Sequence, residues 1–378
     1  MKSRTRFFLL LLAALAASPA PPPARARSGE TAGAPALATL EGGQREHVTW
    51  REEDRLDGFR RLARSRLASL ELHGPDPSDD GLQEIYALLD DELLENLNSG
   101  PLFASAAFLQ ERLDGFSEVW GGSAFRVLTL PGTGLTVGVF RLSSSGRGNS
   151  VRIYARNGGR FELARTLRRP GVPVLFELPR ARSGAAQFFL AWVGPQSNRG
   201  SFALQIELWK QEGETLRSAW STAELSPGDL LATKFDVRGR SVTIRYEVRY
   251  PGWKPGCDGQ TEMEDLYQYA PDKGGINLAR RRTINGWHQE LHSGAVSRLL
   301  DALAAGDRRA LAKLVPDPAV RARLPDRLLP DPACDAPGDA VPSEVRVAAV
   351  APADGRVWDL RFRRLPGGWR LVEVGSAG

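Results

Sequence analysis

Along the first part of the chain, apolar residues recur at three- and four-residue steps. Leu56, Phe59, Ala63, Leu67 and Leu70 form one stripe; Leu82, Ile85, Leu89, Leu93 and Leu97 form a second. That period is the face of an amphipathic helix. Thr49-Trp50-Arg51-Glu52 fits a capping box before the first stripe, and Ser78 can cap the second. Gly74-Pro75 and Gly100-Pro101 close them. A third helix is predicted through Phe108, Leu109, Leu113 and Phe116. The second helix carries Asp79, Asp80, Glu84, Asp90, Asp91 and Glu95 on its other side, either a solvated face or a partner surface.

Near Gly121 the period falls to two. Val151, Ile153 and Ala155 alternate with arginine and tyrosine, and Phe202, Leu204, Ile206 and Leu208 alternate with polar or aromatic neighbours. Val242, Ile244, Tyr246, Val248 and Tyr250 do the same. Further runs lie near 124–130, 134–142, 160–167, 172–178, 186–193, 214–221 and 229–237, separated by turn signals such as Pro131-Gly132 and Pro170-Gly171. About ten strands with no room for crossover helices predict an antiparallel all-β domain, sandwich-like in form. A propeller needs more blades than these strands can build.

The helical period returns at Asn285, with Trp287, Leu291, Ala295, Leu299 and Leu303 on one stripe. Gly306 ends it and Asp307 can cap a shorter helix through Leu311 and Val315. Residues 316–342 are Pro-rich and irregular; strands follow at 343–350, 356–364 and 368–374. The chain therefore reads as a multidomain α+β protein. It has a helical segment at 49–120, a β domain at 121–270, a linker at 271–284 and a small α+β domain at 285–378.

Within that last domain, Leu299-Leu300-Asp301-Ala302-Leu303-Ala304-Ala305-Gly306-Asp307 resembles the helical opening of NTF2-like (cystatin-like cone) domains. Gly367-Gly368-Trp369-Arg370-Leu371-Val372-Glu373-Val374 is similar to their last strand. The resemblance spans residues 287–375. It implies helices packed on an antiparallel sheet and carries no catalytic residue, since that family hosts enzymes and binding modules alike.

The N-terminus changes where this molecule is expected to work. Met1-Lys2-Ser3-Arg4-Thr5-Arg6 is basic, and the apolar run Phe7–Ala17 falls short of the about 20 residues a spanning helix needs. With the small residues of Ala24-Arg25-Ala26 behind it, this is a signal-peptide pattern, cleaved after Ala26. A flexible linker is expected over 27–48. The mature chain is then exported, periplasmic or extracellular, with no transmembrane anchor. Of 50 basic residues six are lysine and the rest arginine, scattered among 45 acids. The net charge of +5 is small for 378 residues, so no nucleic-acid partner is expected.

Export gives the two cysteines a meaning. In an oxidising compartment Cys257 and Cys334 are candidates for one disulfide. Cys257 lies in the most distinctive stretch of the chain, which follows the clearest strand. Tyr250-Pro251-Gly252-Trp253 and Lys254-Pro255-Gly256-Cys257 each place Pro and Gly as a type II turn requires. Beside Trp253 stand the carboxylates Asp258, Glu262, Glu264 and Asp265. Clustered acids on a stiff loop suit a ligand or Ca²⁺, although the spacing is not that of an EF-hand; the other reading is a tethered interdomain loop with solvated acids. His288 and His292 stand four apart on the predicted helix and share a face, as a Zn²⁺ pair would; the other reading is two polar residues bordering the Trp287/Leu291 stripe.

No nucleophile elbow, phosphate-binding loop or metal-spaced cysteine pair occurs. The expected role is therefore a non-enzymatic binding or assembly protein, its partner an envelope protein or a small ligand. The alternative is an exported hydrolase or metal-dependent enzyme with its site at the domain junction. Oligomeric state is left open.

Overall fold

The computed structural model describes residues 52–67, 79–120 and 124–376, apart from 131, 145, 182, 198–199, 214, 225–229, 272–274 and 336–341. The expected signal peptide, the linker at 27–48 and the turn at Gly74-Pro75 lie outside these residues. What is described is a multidomain α+β fold dominated by antiparallel sheet.

Helix α1 spans Glu52–Leu62 and runs on into a π turn, Ala63–Leu67; α2 spans Asp79–Asn98 and α3 spans Ala106–Val119. The predicted stripe of α2 is its buried face, with Leu82, Ile85, Leu89, Leu93 and Leu97 all in the core. Ser105 caps α3 by accepting the Phe108 N–H. The acidic side of α2 is not wholly solvated. Asp90 is buried and takes a two-pronged contact from the Arg152 guanidinium plus the Tyr154 hydroxyl at 2.7 Å. Glu92 is also buried, between Arg55 and Arg112. Asp90 thus meets basic and phenolic groups of the sheet that α2 crosses, while Glu92 is met by arginines of the neighbouring helices α1 and α3.

That sheet is β1 (Ala124–Leu130), β2 (Leu135–Arg141), β3 (Ser150–Asn157) and β4 (Arg160–Leu167), in chain order. One face carries Phe125, Phe140, Tyr154 and Phe161 against the helices. The other carries Leu135, Val137, Val139, Val151 and Ile153 against a second sheet. Strands β2 and β3 are buried on both faces in consequence.

The second sheet holds β5 (Val172–Glu177), β6 (Gln187–Gln196), β7 (Phe202–Glu212), β8 (Thr215–Ser221), β9 (Leu230–Arg238), β10 (Ser241–Glu247), β11 (Glu262–Ala270) and β12 (Gly275–Ile284). Its order is β12-β11-β10-β9-β7-β6-β5, with β8 also on β7. Phe188, Leu190 and Trp192 face the first sheet. Phe189, Ala191, Ile206, Val242, Ile244 and Tyr267 face inward to a separate core. The sheet curls enough to bring Trp220 of β8 against Tyr267 of β11, ring centroids 5.4 Å apart.

Two features depart from the sequence expectation. The sheet continues through β11 and β12, so residues 271–284 are largely strand and not linker. Alternation is hidden there because the inward face of β11 includes Asp265, while β12 is an almost wholly exposed edge strand bearing Arg280, Arg281 and Arg282. Charged edges of this kind discourage pairing with other chains. The expected irregular stretch also holds one short helix, Pro318–Ala322, capped by Asp317.

Helix α4 (Gly286–Leu291) leads through a π turn (His292–Val296) into α5 (Ser297–Ala305), then α6 (Arg308–Leu314) and α7 (Pro318–Ala322). Gly306 ends α5 at φ 64°, and Asp307 caps α6 by accepting the N–H groups of Arg309 and Ala310, both at 3.0 Å. These helices cover a sheet of β13 (Leu329–Pro330), β14 (Glu344–Val350), β15 (Val357–Leu365) and β16 (Gly368–Ser376). Trp287, Leu291, Leu299, Val347, Leu360, Phe362, Trp369 and Leu371 form its core. In this sheet only β14, β15 and β16 are long.

Candidate functional site

The loop after β10 is built from its sequence. Trp253 N–H donates to the Tyr250 carbonyl at 2.8 Å and Cys257 N–H to the Lys254 carbonyl at 3.3 Å, closing two successive four-residue turns. Gly252 and Gly256 take the positive φ, 89° and 76°, that the third turn position requires. Gln260 braces both turns, accepting from Lys254 N–H and donating to the Lys254 and Cys257 carbonyls. Cys257 is disulfide-bonded to Cys334.

The predicted acids of this region do not converge. Asp258 is exposed. Glu262 pairs with Arg245 and accepts from Thr233. Glu264 faces Arg280 and Arg282 across the β11–β12 ladder. Asp265 is fully buried, bidentate to Arg281 at 2.8 Å and hydrogen-bonded by Tyr246 and Tyr267. Burial by itself raises the pKa of Asp265; the guanidinium and the two phenols outweigh it and hold the carboxylate below its usual range. The oxygens of Glu262, Glu264 and Asp265 are engaged by arginines of neighbouring strands and do not point to one centre. Trp253 lies under the Arg249 guanidinium, 5.6 Å from its ring centre.

The two histidines do come together, and a residue absent from the sequence expectation joins them. His288 and His292 are buried, their rings stacked with centroids 4.3 Å apart. Asp335, next to the disulfide, places Oδ2 at 3.2 Å from His288 Nε2 and 2.7 Å from His292 Nε2. Its Oδ1 faces Lys254 Nζ at 3.4 Å, and the same ammonium reaches the Ala333 carbonyl. Tyr250 Oη lies 2.6 Å from His288 Nδ1 and accepts the Thr261 N–H at 3.1 Å. Thr261, also buried, donates to the Asn285 carbonyl and accepts the Gln289 N–H, fixing the start of α4. Burial lowers the pKa of His288, and Asp335 only partly opposes this. Burial disfavours charge on Asp335 too, but the two imidazoles and Lys254 hold its pKa well below the carboxylate range. The cluster thus pairs a firmly ionised carboxylate with an imidazole biased to neutrality.

Asp335 was missed because it stands far along the chain in an irregular segment. The available signal was its adjacency to Cys334, since a bridge to Cys257 carries it to the loop preceding α4. Among the described residues no helix is long and apolar enough to cross a membrane. Compared with known proteins, the chain matches no family model and no curated protein.

Proposed function

We propose that the chain is an exported, non-enzymatic binding or assembly protein of the cell envelope or the secreted space. The observation that carries this reading is the rigid junction. One loop is tied to the C-terminal part by the Cys257–Cys334 bridge, the Tyr250–His288 and Thr261–Asn285 hydrogen bonds and the Lys254–Asp335 ion pair. Such bracing holds large sheet surfaces in a fixed relation, which suits recognition of a partner. The disulfide and the basic, apolar, then small-residue order of the N-terminus support export. Chemical cross-linking in the native envelope followed by capture of this chain is expected to yield a stoichiometric partner. Recovery in the cytoplasmic fraction, with residues 1–20 still attached, would sink the reading.

The second reading is an exported hydrolase or metal-dependent enzyme at the junction, and the observation favouring it is the meeting of two imidazoles with a carboxylate. It requires turnover of an ester, peptide or phosphoester that His292→Ala abolishes.

A further inference from the structure

Among the described residues, His288, His292 and Asp335 are the one group of three histidine, cysteine or carboxylate side chains whose donor atoms all lie within 4.8 Å of one another. Their contacts are close imidazole–carboxylate approaches. His292 Nε2 and Asp335 Oδ2 are both buried with no hydrogen-bond partner, despite their 2.7 Å separation. Buried polar atoms are rarely left in this state without a ligand or ion to satisfy them. Here two of the three atoms that converge, His292 Nε2 and Asp335 Oδ2, are ones that lack partners.

Each group is also held from behind. Tyr250 Oη fixes Nδ1 of His288, Lys254 faces Oδ1 of Asp335, and Gly252 leaves the His292 ring the space that a side chain there would take. A carbon added at Gly252 would sit 2.6 Å from His292 Nδ1. Outer contacts of this sort orient metal ligands. Two imidazole nitrogens and one carboxylate oxygen are a borderline donor set, suited to Zn²⁺ and not to the oxygen-rich shells of Ca²⁺ or Mg²⁺. Zn²⁺ bonds of about 2.0–2.1 Å set neighbouring ligand atoms roughly 3.3 Å apart. The two imidazole–carboxylate separations of 2.7 and 3.2 Å lie within about 0.6 Å of that spacing, and all three donor atoms lie within 4.8 Å of one another.

We propose that this chain binds one Zn²⁺ through His288 Nε2, His292 Nε2 and Asp335 Oδ2. The ion joins α4, the π turn after it and the segment beside Cys334, so that metal and disulfide pin the same strap. Three protein ligands leave a tetrahedral ion one position for water. The inference does not depend on the binding-protein reading, because the metal is measured with no partner present.

The test uses the untagged, disulfide-intact chain, stripped with chelator and titrated with Zn²⁺ in a calorimeter. One equivalent is expected to bind. Tyr250→Phe, which removes an outer contact, should weaken affinity by about 10-fold; His292→Ala and Asp335→Asn should weaken it more. Absence of stoichiometric Zn²⁺ binding, or a His292→Ala protein that binds as tightly as the wild type, overturns the proposal. Should the ligand variants fail to fold, Co²⁺ added to the stripped wild-type chain decides. Intense visible absorption from a four-coordinate ion supports the site, and its absence overturns it.

Discussion

Asp265 shows how one residue can stabilise a sheet while hiding the sheet from view. Its carboxylate is fully buried, yet Arg281 and two tyrosines satisfy it. Asp265→Asn keeps the volume and removes the charge. With Arg281 half in solvent, the expected loss is about 1–3 kcal/mol, read from the urea midpoint at neutral pH. The folded pKa lies below the unfolded value of 3.8. The carboxylate's contribution is therefore complete above 3.8 and fades as pH falls through the folded pKa. The gap between wild type and variant should hold at neutral pH and narrow only in strong acid. Gly252 carries a different constraint. Gly252→Ala meets both an unfavourable φ of 89° and the His292 ring. Gly239→Ala, at φ 54° with open space around it, meets the backbone strain alone. The Gly239 variant should lose about 1 kcal/mol in thermal unfolding and the Gly252 variant distinctly more. Equal losses would remove the ring contact as the reason for glycine there. Of the buried cluster, the i,i+4 histidines were legible in the sequence because helix geometry alone puts them on one face. Asp335 was not, because its approach depends on a disulfide and on the path of an irregular segment.

At the scale of elements, legibility followed the solvent. Strands β1 to β10 each have at least one apolar side, and all ten lie close to where the pattern puts them; β2, β3 and β6 are buried on both faces. Strands β11 and β12 escaped notice for opposite reasons. The first buries a charge in mid-strand, and the second, as an edge, buries almost nothing. The run Arg280-Arg281-Arg282 and the acids Glu264 and Asp265 looked like separate features in one dimension; the ladder makes them cross-strand partners. Helix ends were easier, since capping is local chemistry. Asp307 accepts two N–H groups at the start of α6, so Asp307→Ala should cost about 1 kcal/mol in denaturant unfolding. Asp307→Asn, which keeps an acceptor oxygen, should cost less.

For the whole molecule, the informative fact is how its cores are joined. The helices with the first sheet, the interface between the two sheets and the inside of the curled sheet form clusters in the N-terminal part. The C-terminal helices and sheet enclose another. Strand β12 leads directly into α4, and the loop from Tyr250 to Thr261 supplies most of the named polar ties across that join. The disulfide closes the chain between positions 77 apart, a loop long enough for its removal to cost roughly 4.5 kcal/mol in the chain-entropy account. That cost falls mainly on one part. Without the bridge, the segment carrying Asp335 is held to the loop by side-chain contacts alone, and the C-terminal core can open while the sheets stay folded. Calorimetry of the oxidised chain should therefore give one cooperative transition. The Cys257→Ser, Cys334→Ser double variant should give two, the earlier one being the transition in which Trp287 and Trp369 lose their buried surroundings, followed by their fluorescence. A double variant that still melts in a single step, at an unchanged temperature, would mean that the strand-to-helix connection and the loop contacts suffice and that the disulfide is not what couples the two parts.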